Sequence, residues 1–462
     1  MAAAKQEKKE YEFSDITPEI EKLAEVSIEN NQIDPMLYYR YNVKRGLRDI
    51  TGRGVLTGLT EIAEVKSYTI DDDEMIPCPG KLYYRGYNLE DLVASFTKER
   101  RFGFEETAYL LIFGKLPTAK ELTSFTKLLS SYRTLPTNFV RDVIMKAPSR
   151  EMMNTLSRSV LTLYAYDHNA DDVSIDNVLR QCIQLTSIMP LLAVYGYHAY
   201  EHYKEGESLV IHQPDPTQGT AETILHLLRD DSKFTKFEAR VLDLCLVLHA
   251  DHGGGNNSTF TNRVVTSTLT DTYSAISASL ASLKGPRHGG ANIKVVGMMD
   301  DIAKHVKDHS DDEEISKYLN KILRGKAFDR QGLIYGVGHA VYTVSDPRAV
   351  LLKKYVQQLA KEKGAMETFE LYQKVEHLAP LAIQNYHTMH RDYISINVDF
   401  YSGLVYRLLG LPEELFTPLF AIARMAGWSA HRIEELVSGG KIIRPAYKNV
   451  VKHAKYVPLK KR

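Results

Sequence analysis

Cysteine is scarce in this 462-residue chain: Cys78, Cys182 and Cys245 lie far apart. So sparse and odd a count is neither a disulfide framework nor a paired-cysteine metal site, and it suits a reducing compartment. Net charge is also missing. Lys plus Arg and Asp plus Glu both number 58, so no global field draws the chain to nucleic acid or to an anionic membrane. The stretch from Met1 to Tyr11 is polar, with no apolar core for a secretory signal, and Glu7 and Glu10 are foreign to an acid-poor transit peptide. The most apolar run, Ser187 to Tyr195, is too short to span a bilayer. These absences predict a cytoplasmic protein with neither nucleic acid nor membrane as partner. No fixed-period repeat and no low-complexity linker is visible.

What is present is helical periodicity. Ile20, Leu23, Ala24 and Ile28 share one helix face within a first segment, 1–50. Glycines 52, 54 and 58 lead into a tract, Ile62 to Tyr68, that reads as a turn and a short strand or two. Asn88 is placed to cap a helix through Leu89, Leu92 and Val93, and Thr118 with Glu121 forms a capping box. Strand-like alternation is rare beyond residue 100. The fold class is therefore all-α, with a small β element near the N-terminus. Between Ser258 and Leu283, Ser, Thr and Ala predominate, which suits either a tightly packed helix pair or an interface helix, with the hydroxyls bonded internally.

Five constellations could carry chemistry. His249, Asp251 and His252, followed by three glycines, form a helix end that could contact a substrate or hold a metal. His288 precedes Gly289-Gly290 and a new helical pattern; a helix N-terminus disfavours imidazolium, and a neutral His can polarise a carbonyl. Gly336-Val337-Gly338-His339 exposes backbone groups, and Arg348 follows shortly, which suits an oxygen-rich anion. A GxG alone does not specify a nucleotide, and neither a P-loop nor a GxGxxG fingerprint is present. Asp399 stands among apolar and aromatic residues ahead of a helical stripe, so it is a cap or a base whose pKa burial raises. Arg424 and Arg444 are embedded in apolar residues and should each meet a carboxylate, either the protein's own or that of a bound acid.

Taken jointly and in order, the stretches around His288, around His339 through Asp346-Pro347-Arg348, and around Asp399 resemble the citrate synthase family. Leu82 to Tyr87 and Ala108 to Leu111 also match its N-terminal signatures, so the resemblance runs from about Val55 to Tyr447. It implies a mainly helical homodimer with a large domain (51–288 and 400–462), a small domain (289–399) that closes over the substrate, and an N-terminal extension (1–50). It implies oxaloacetate and acetyl-CoA as substrates, with no permanent cofactor and no metal. Asp399 resembles the base that deprotonates acetyl-CoA, His288 the neutral donor to the thioester oxygen, and His339 the donor to the keto group. His252, Arg348, Arg424 and, across the dimer, Arg444 resemble the oxaloacetate ligands; Gly336, Val337 and Gly338 resemble the backbone contacts of CoA. A 2-methylcitrate synthase using propionyl-CoA is the near alternative, since one methylene is worth only about 1–3 kcal/mol of discrimination. A metal-dependent hydrolase built on His249, Asp251 and His252 is the distant one.

Overall fold

The computed structural model describes residues 14–49, 52–71, 74–338, 341–387 and 393–462. The chain divides into two units, Met1–Leu59 and Thr60–Arg462. In the first, Thr17 and Asp34 cap α1 (Pro18–Asn30) and α2 (Pro35–Arg40), each opening with proline, whose missing N–H costs nothing at a helix start. The expected apolar stripe of α1 forms but is exposed: Ile20, Leu23 and Ile28 are each more than half accessible.

The second unit opens with the β element. Strands β1 (Ala63–Asp71), β2 (Glu74–Tyr84) and β3 (Tyr87–Asn88) form an antiparallel sheet in the order β1-β2-β3, with an irregularity between Lys66 and Tyr68. Helices follow. Asn88 caps α3 (Leu89–Glu99) by accepting from the Glu90 N–H, as the sequence indicates. Next come α4 (Phe104–Phe113), ended by Gly114, and α5 (Ala119–Ser131), where the Thr118–Glu121 capping box is present. Helices α6 (Met152–Leu163), α7 (Ile175–Tyr200), α8 (Thr220–Leu228) and α9 (Lys236–His249) build the core.

The apolar run at Ser187–Tyr195 is the middle of a longer helix. With the turn that follows, α7 reaches Glu205 and is long and apolar enough to cross a bilayer, yet 83% of its most apolar window is buried within the protein. Apolar residues all around a helix fit such a position.

The Ser/Thr/Ala-rich segment is two packed helices, α10 (Asn257–Thr266) and α11 (Thr272–Lys284). Their buried hydroxyls are bonded inside: the Asn262 amide donates to Ser279 Oγ at 3.1 Å, and Ser279 donates to the Ala275 carbonyl at 2.9 Å. Then come α12 (Ala291–His305), α13 (Asp312–Leu323), α14 (Pro347–Glu362), α15 (Met366–His387), α16 (Asp399–Leu408) and α17 (Phe416–Val437). Helix α17 is buried from Phe416 to Arg432 and packs against α4, α7, α9, α10 and α11. Whatever it carries on its inner face is therefore held from several sides. The all-α reading with a small N-terminal sheet is the observed fold.

Candidate active site

The site is built where the C-terminal end of α9 meets the middle of α17. Helix α9 stops at His249, and the chain turns through Ala250-Asp251-His252 into the glycines. Arg424 on α17 donates from Nε to the His249 carbonyl at 2.7 Å, a cation placed at the negative end of a helix. Its guanidinium carbon lies 4.7 Å from the Phe420 ring centre. The same ring meets His249 edge-on at 4.4 Å and His288 at 6.4 Å. Phe420 is thus the hub that gathers these three side chains, and sequence reasoning missed it because nothing distinguishes it from any other core aromatic.

Arg424 is fully buried, and neither Nη1 nor Nη2 has a hydrogen-bond partner among the described residues. Burial pushes its pKa down to about 10, against the nearby charge of Asp251. An internal ion pair was one of two outcomes open from sequence; among the described residues no carboxylate bonds this guanidinium. Unsatisfied buried donors on a cation are costly, so the position favours binding of an anion.

Arg348 is handled differently. It is the second residue of α14, and Asp346, the cap of that helix, accepts from its Nε at 3.0 Å and Nη2 at 2.7 Å. Asp346 also accepts from the Val398 N–H at 3.2 Å, which ties Arg348 to the segment preceding Asp399. The pair is buried, and Asp346 holds the Arg348 pKa above its usual value despite burial.

Asp399 is the first residue of α16. The cap position belongs to Val398, and among the described residues no side chain caps the helix, so Asp399 is not the N-cap that was one sequence option. Burial raises its pKa to about 7, opposed by Arg348 and Arg424 and assisted by Asp346. The segment before it is set by a short antiparallel pairing, Val337 with Ile396. Gly338 N–H donates to the Ser395 carbonyl at 2.7 Å, and Asn397 N–H to the Gly336 carbonyl at 2.9 Å. Gly336 has φ +76°, and a Cβ there would stand 2.7 Å from Val295 and 3.1 Å from the Phe400 Cα, so both conformation and space require glycine. The Gly336-Val337-Gly338 stretch and Asp399 are therefore neighbours by backbone bonding. His339, the next residue, lies outside the described residues.

His288 stands ahead of α12, whose cap is Gly290. Its pKa is lowered to about 4, first by burial and then by Arg424. The cause is thus not chiefly the helix terminus that the sequence suggested. Its tautomer follows from geometry. The Ser258 backbone N–H donates to Nε2 at 3.3 Å, and an amide can only donate, so Nε2 carries the lone pair and Nδ1 the proton. Ser258 Oγ, 3.2 Å from the same nitrogen, is held by Trp428 Nε1–H at 3.2 Å and donates to Asn256 at 2.9 Å. Ser258 and Trp428 were not singled out in the sequence; a lone Trp one turn beyond Arg424 was the available signal.

The His249, Asp251 and His252 run does not converge on a metal. Among the described residues no group of three or more His, Cys, Asp or Glu could hold one. Instead His249 is buried with its pKa held far below the usual value by burial, Arg348 and Arg424. Asp251 accepts from the Gly253 N–H at 2.8 Å and lies 3.2 Å from His431 Nε2. His252 meets the Tyr342 ring edge-on at 5.5 Å. Helix α17 comes so close that a Cβ on Gly427 would lie 2.4 Å from both the Ala250 carbonyl and Asp251 Oδ1. Gly427→Ala should therefore destabilise the fold by about 1–3 kcal/mol. Denaturant melts of the variant check this; an unchanged midpoint would mean the two segments separate freely.

Arg444 is not drawn in. Expected to be buried among Ile442, Ile443 and Pro445, it is exposed in an irregular stretch beyond the end of α17. No hydrogen bond or ion pair among the described residues links it to the cluster.

What gathers at this junction is a buried cation with unfilled donors, a second cation paired to a helix cap, a carboxyl of raised pKa, and two imidazoles held neutral. The set can bind an anion, take a proton from carbon, and donate a hydrogen bond to a carbonyl. Comparison with known proteins agrees with that chemistry. The family model described as citrate synthase, C-terminal domain, matches residues 49–446. A citrate synthase of Synechocystis is 36% identical over 387 residues, covering 83% of this chain and 88% of that protein. A 2-methylcitrate synthase 1 of Corynebacterium glutamicum is 31% identical over 426 residues, covering 91% and 98%. The structure of Thermoplasma acidophilum citrate synthase in a ternary complex with carboxymethyl coenzyme A and oxaloacetate superposes with a TM-score of 0.74 at 28% identity, covering 91% and 99%. Match, fold and residue chemistry converge, and the chain belongs to the citrate synthase family.

Proposed function

We propose that this chain condenses acetyl-CoA with oxaloacetate and water to give citrate and CoA. The observation that carries the reading is Arg424, whose two terminal nitrogens are fully buried without a partner among the described residues. They suit one carboxylate of a dianion in bidentate fashion. Arg348 and His252 would hold the remainder. Asp399 would take a proton from the acetyl methyl group, while the Nδ1–H of His288 steadies the enol through the thioester oxygen. The enol carbon then attacks the keto carbon, whose oxygen His339 would polarise and supply with a proton. Water adds to the resulting citryl thioester, and the thiol leaves. Acetyl-CoA is a co-substrate, and no step calls for a resident cofactor or metal. Gly336, Val337 and Gly338 would contact the CoA chain through the backbone.

The enol must be kept from water until the carbon–carbon bond forms, which is the use of a small domain (289–399) closing on a large one (51–288 and 400–462). The exposed Arg444 would reach the site of a second copy in a homodimer. Mixing Arg444→Ala with Asp399→Ala, each inactive alone, should then regenerate activity through hybrid dimers; no recovery would place Arg444 elsewhere. Three free cysteines, Cys182 and Cys245 among them buried, support a cytoplasmic location, which fractionation would test.

The deciding experiment is thiol release in the presence of oxaloacetate, comparing acetyl-CoA with propionyl-CoA. Faster turnover of acetyl-CoA is expected. A preference for propionyl-CoA would make the chain a 2-methylcitrate synthase, a reading that the Corynebacterium relative keeps alive. No release with either would remove the proposal.

A further inference from the structure

Helix α17 presents Arg424, Gly427 and His431 at i, i+3 and i+7, on one face. Gly427 leaves room for Asp251, which lies 2.4 Å from where a Cβ would be. One turn on, His431 Nε2 is 3.2 Å from Asp251 Oδ1, with both side chains fully buried. The other side of the ring is fixed too. Arg263 of α10 donates to His431 Nδ1 from Nη2 at 2.7 Å and from Nε at 3.2 Å. Arginine has no acceptor, so Nδ1 holds the lone pair and Nε2 carries the hydrogen that faces Asp251. Arg263 is itself held by Glu434, by Glu435 at 2.9 Å and by Thr60 at 3.2 Å.

The chain of contacts runs from acidic residues near the end of α17, through Arg263 and His431, to the Asp251 turn. That turn carries His252 as its next residue. Its carboxylate is the first charge that keeps Arg424 cationic against burial. The mechanism proposed above uses none of Arg263, His431 and Asp251.

We infer that His431 is a positioning residue for oxaloacetate, acting through Asp251 to fix the turn that carries His252 and to keep the Asp251 carboxylate beside Arg424. This rests on the proposed oxaloacetate site. It predicts a split between the two substrates, since Gly336–Gly338 and His288 are positioned by other contacts.

The test compares two polar replacements. In His431→Gln the amide nitrogen stands near the position of Nε2 and still reaches Asp251. In His431→Asn the side chain can accept from Arg263 but is too short to reach Asp251. The Asn variant should raise KM for oxaloacetate about tenfold or more, and the Gln variant less than about threefold, as expected for losing or keeping one polar contact to a buried carboxylate. KM for acetyl-CoA should change less than about twofold in both, and the ligand-free melting temperatures should be alike. Equal KM for oxaloacetate in the two variants, or equal rises for both substrates, would overturn the inference. If the wild-type protein releases no thiol, the functional reading fails, and calorimetric titration of oxaloacetate into wild type and both variants decides this inference separately. Wild type that binds no oxaloacetate overturns both.

Discussion

Asp399→Asn should lower thiol release about 10²–10⁴-fold at pH 8, while oxaloacetate binding measured by calorimetry stays within about threefold. The replacement keeps shape and removes only the ability to take a proton. The pH profile supplies a second, independent sign. A base must be ionised, and burial lifts the Asp399 pKa to about 7. The kcat/KM of the wild-type enzyme should therefore fall roughly tenfold per pH unit below about 7 and level off above it. His288, pushed down to about 4 by burial and Arg424, adds no limb between pH 5 and 8. Stability moves the other way. A carboxyl whose pKa is raised on folding favours the folded state when protonated, below the unfolded value near 4, and that contribution is lost as pH rises to about 7. Asp399→Asn should therefore melt higher than wild type at pH 8 and about equally at pH 4. An acid limb that persists unchanged in the Asn variant, or near-normal turnover, would move the base to another residue.

Local signals carried the fold well. Asn88 and Thr118 act where a capping residue should, because caps are decided within one helical turn. Burial is a long-range property and is less legible in the sequence. The face of α1 has the period of a buried stripe but stays exposed, and Arg444 sits in an apolar context but on the surface. The same limit applies to the site. Asp399, Arg348, Arg424, His288 and His252 stand out in sequence because each is a polar group in an unusual local setting. Ser258 fixes the proton of His288 with a backbone N–H, and the group that matters there has no identity in the sequence. Arg263 meets His431, whose other ring nitrogen faces Asp251, only because α10 and α17 pack side by side. Phe420 gathers three side chains by shape alone. Chemistry-bearing residues were thus more legible than the neighbours that hold them.

Arg424→Met should raise KM for oxaloacetate about 10²–10³-fold, and it should abolish the rise in melting temperature that oxaloacetate gives the wild-type protein. Methionine fills much of the same volume against Phe420, so the loss tests charge and donors rather than packing. The ligand-free protein should respond in the opposite sense. Arg424 is a fully buried cation with two nitrogens unsatisfied among the described residues, and its one bond, to the His249 carbonyl, offsets little of that cost. Replacing such a group by an apolar side chain of similar size is often neutral or stabilising. Asp251 would lose a nearby positive charge but keep His431 and the Gly253 N–H. The melting temperature without ligand should therefore hold or rise while binding collapses. That pairing separates a binding residue from a structural one. A structural arginine would lose stability and binding together, and a variant that still gained stability from oxaloacetate would show that Arg424 does not hold the dianion.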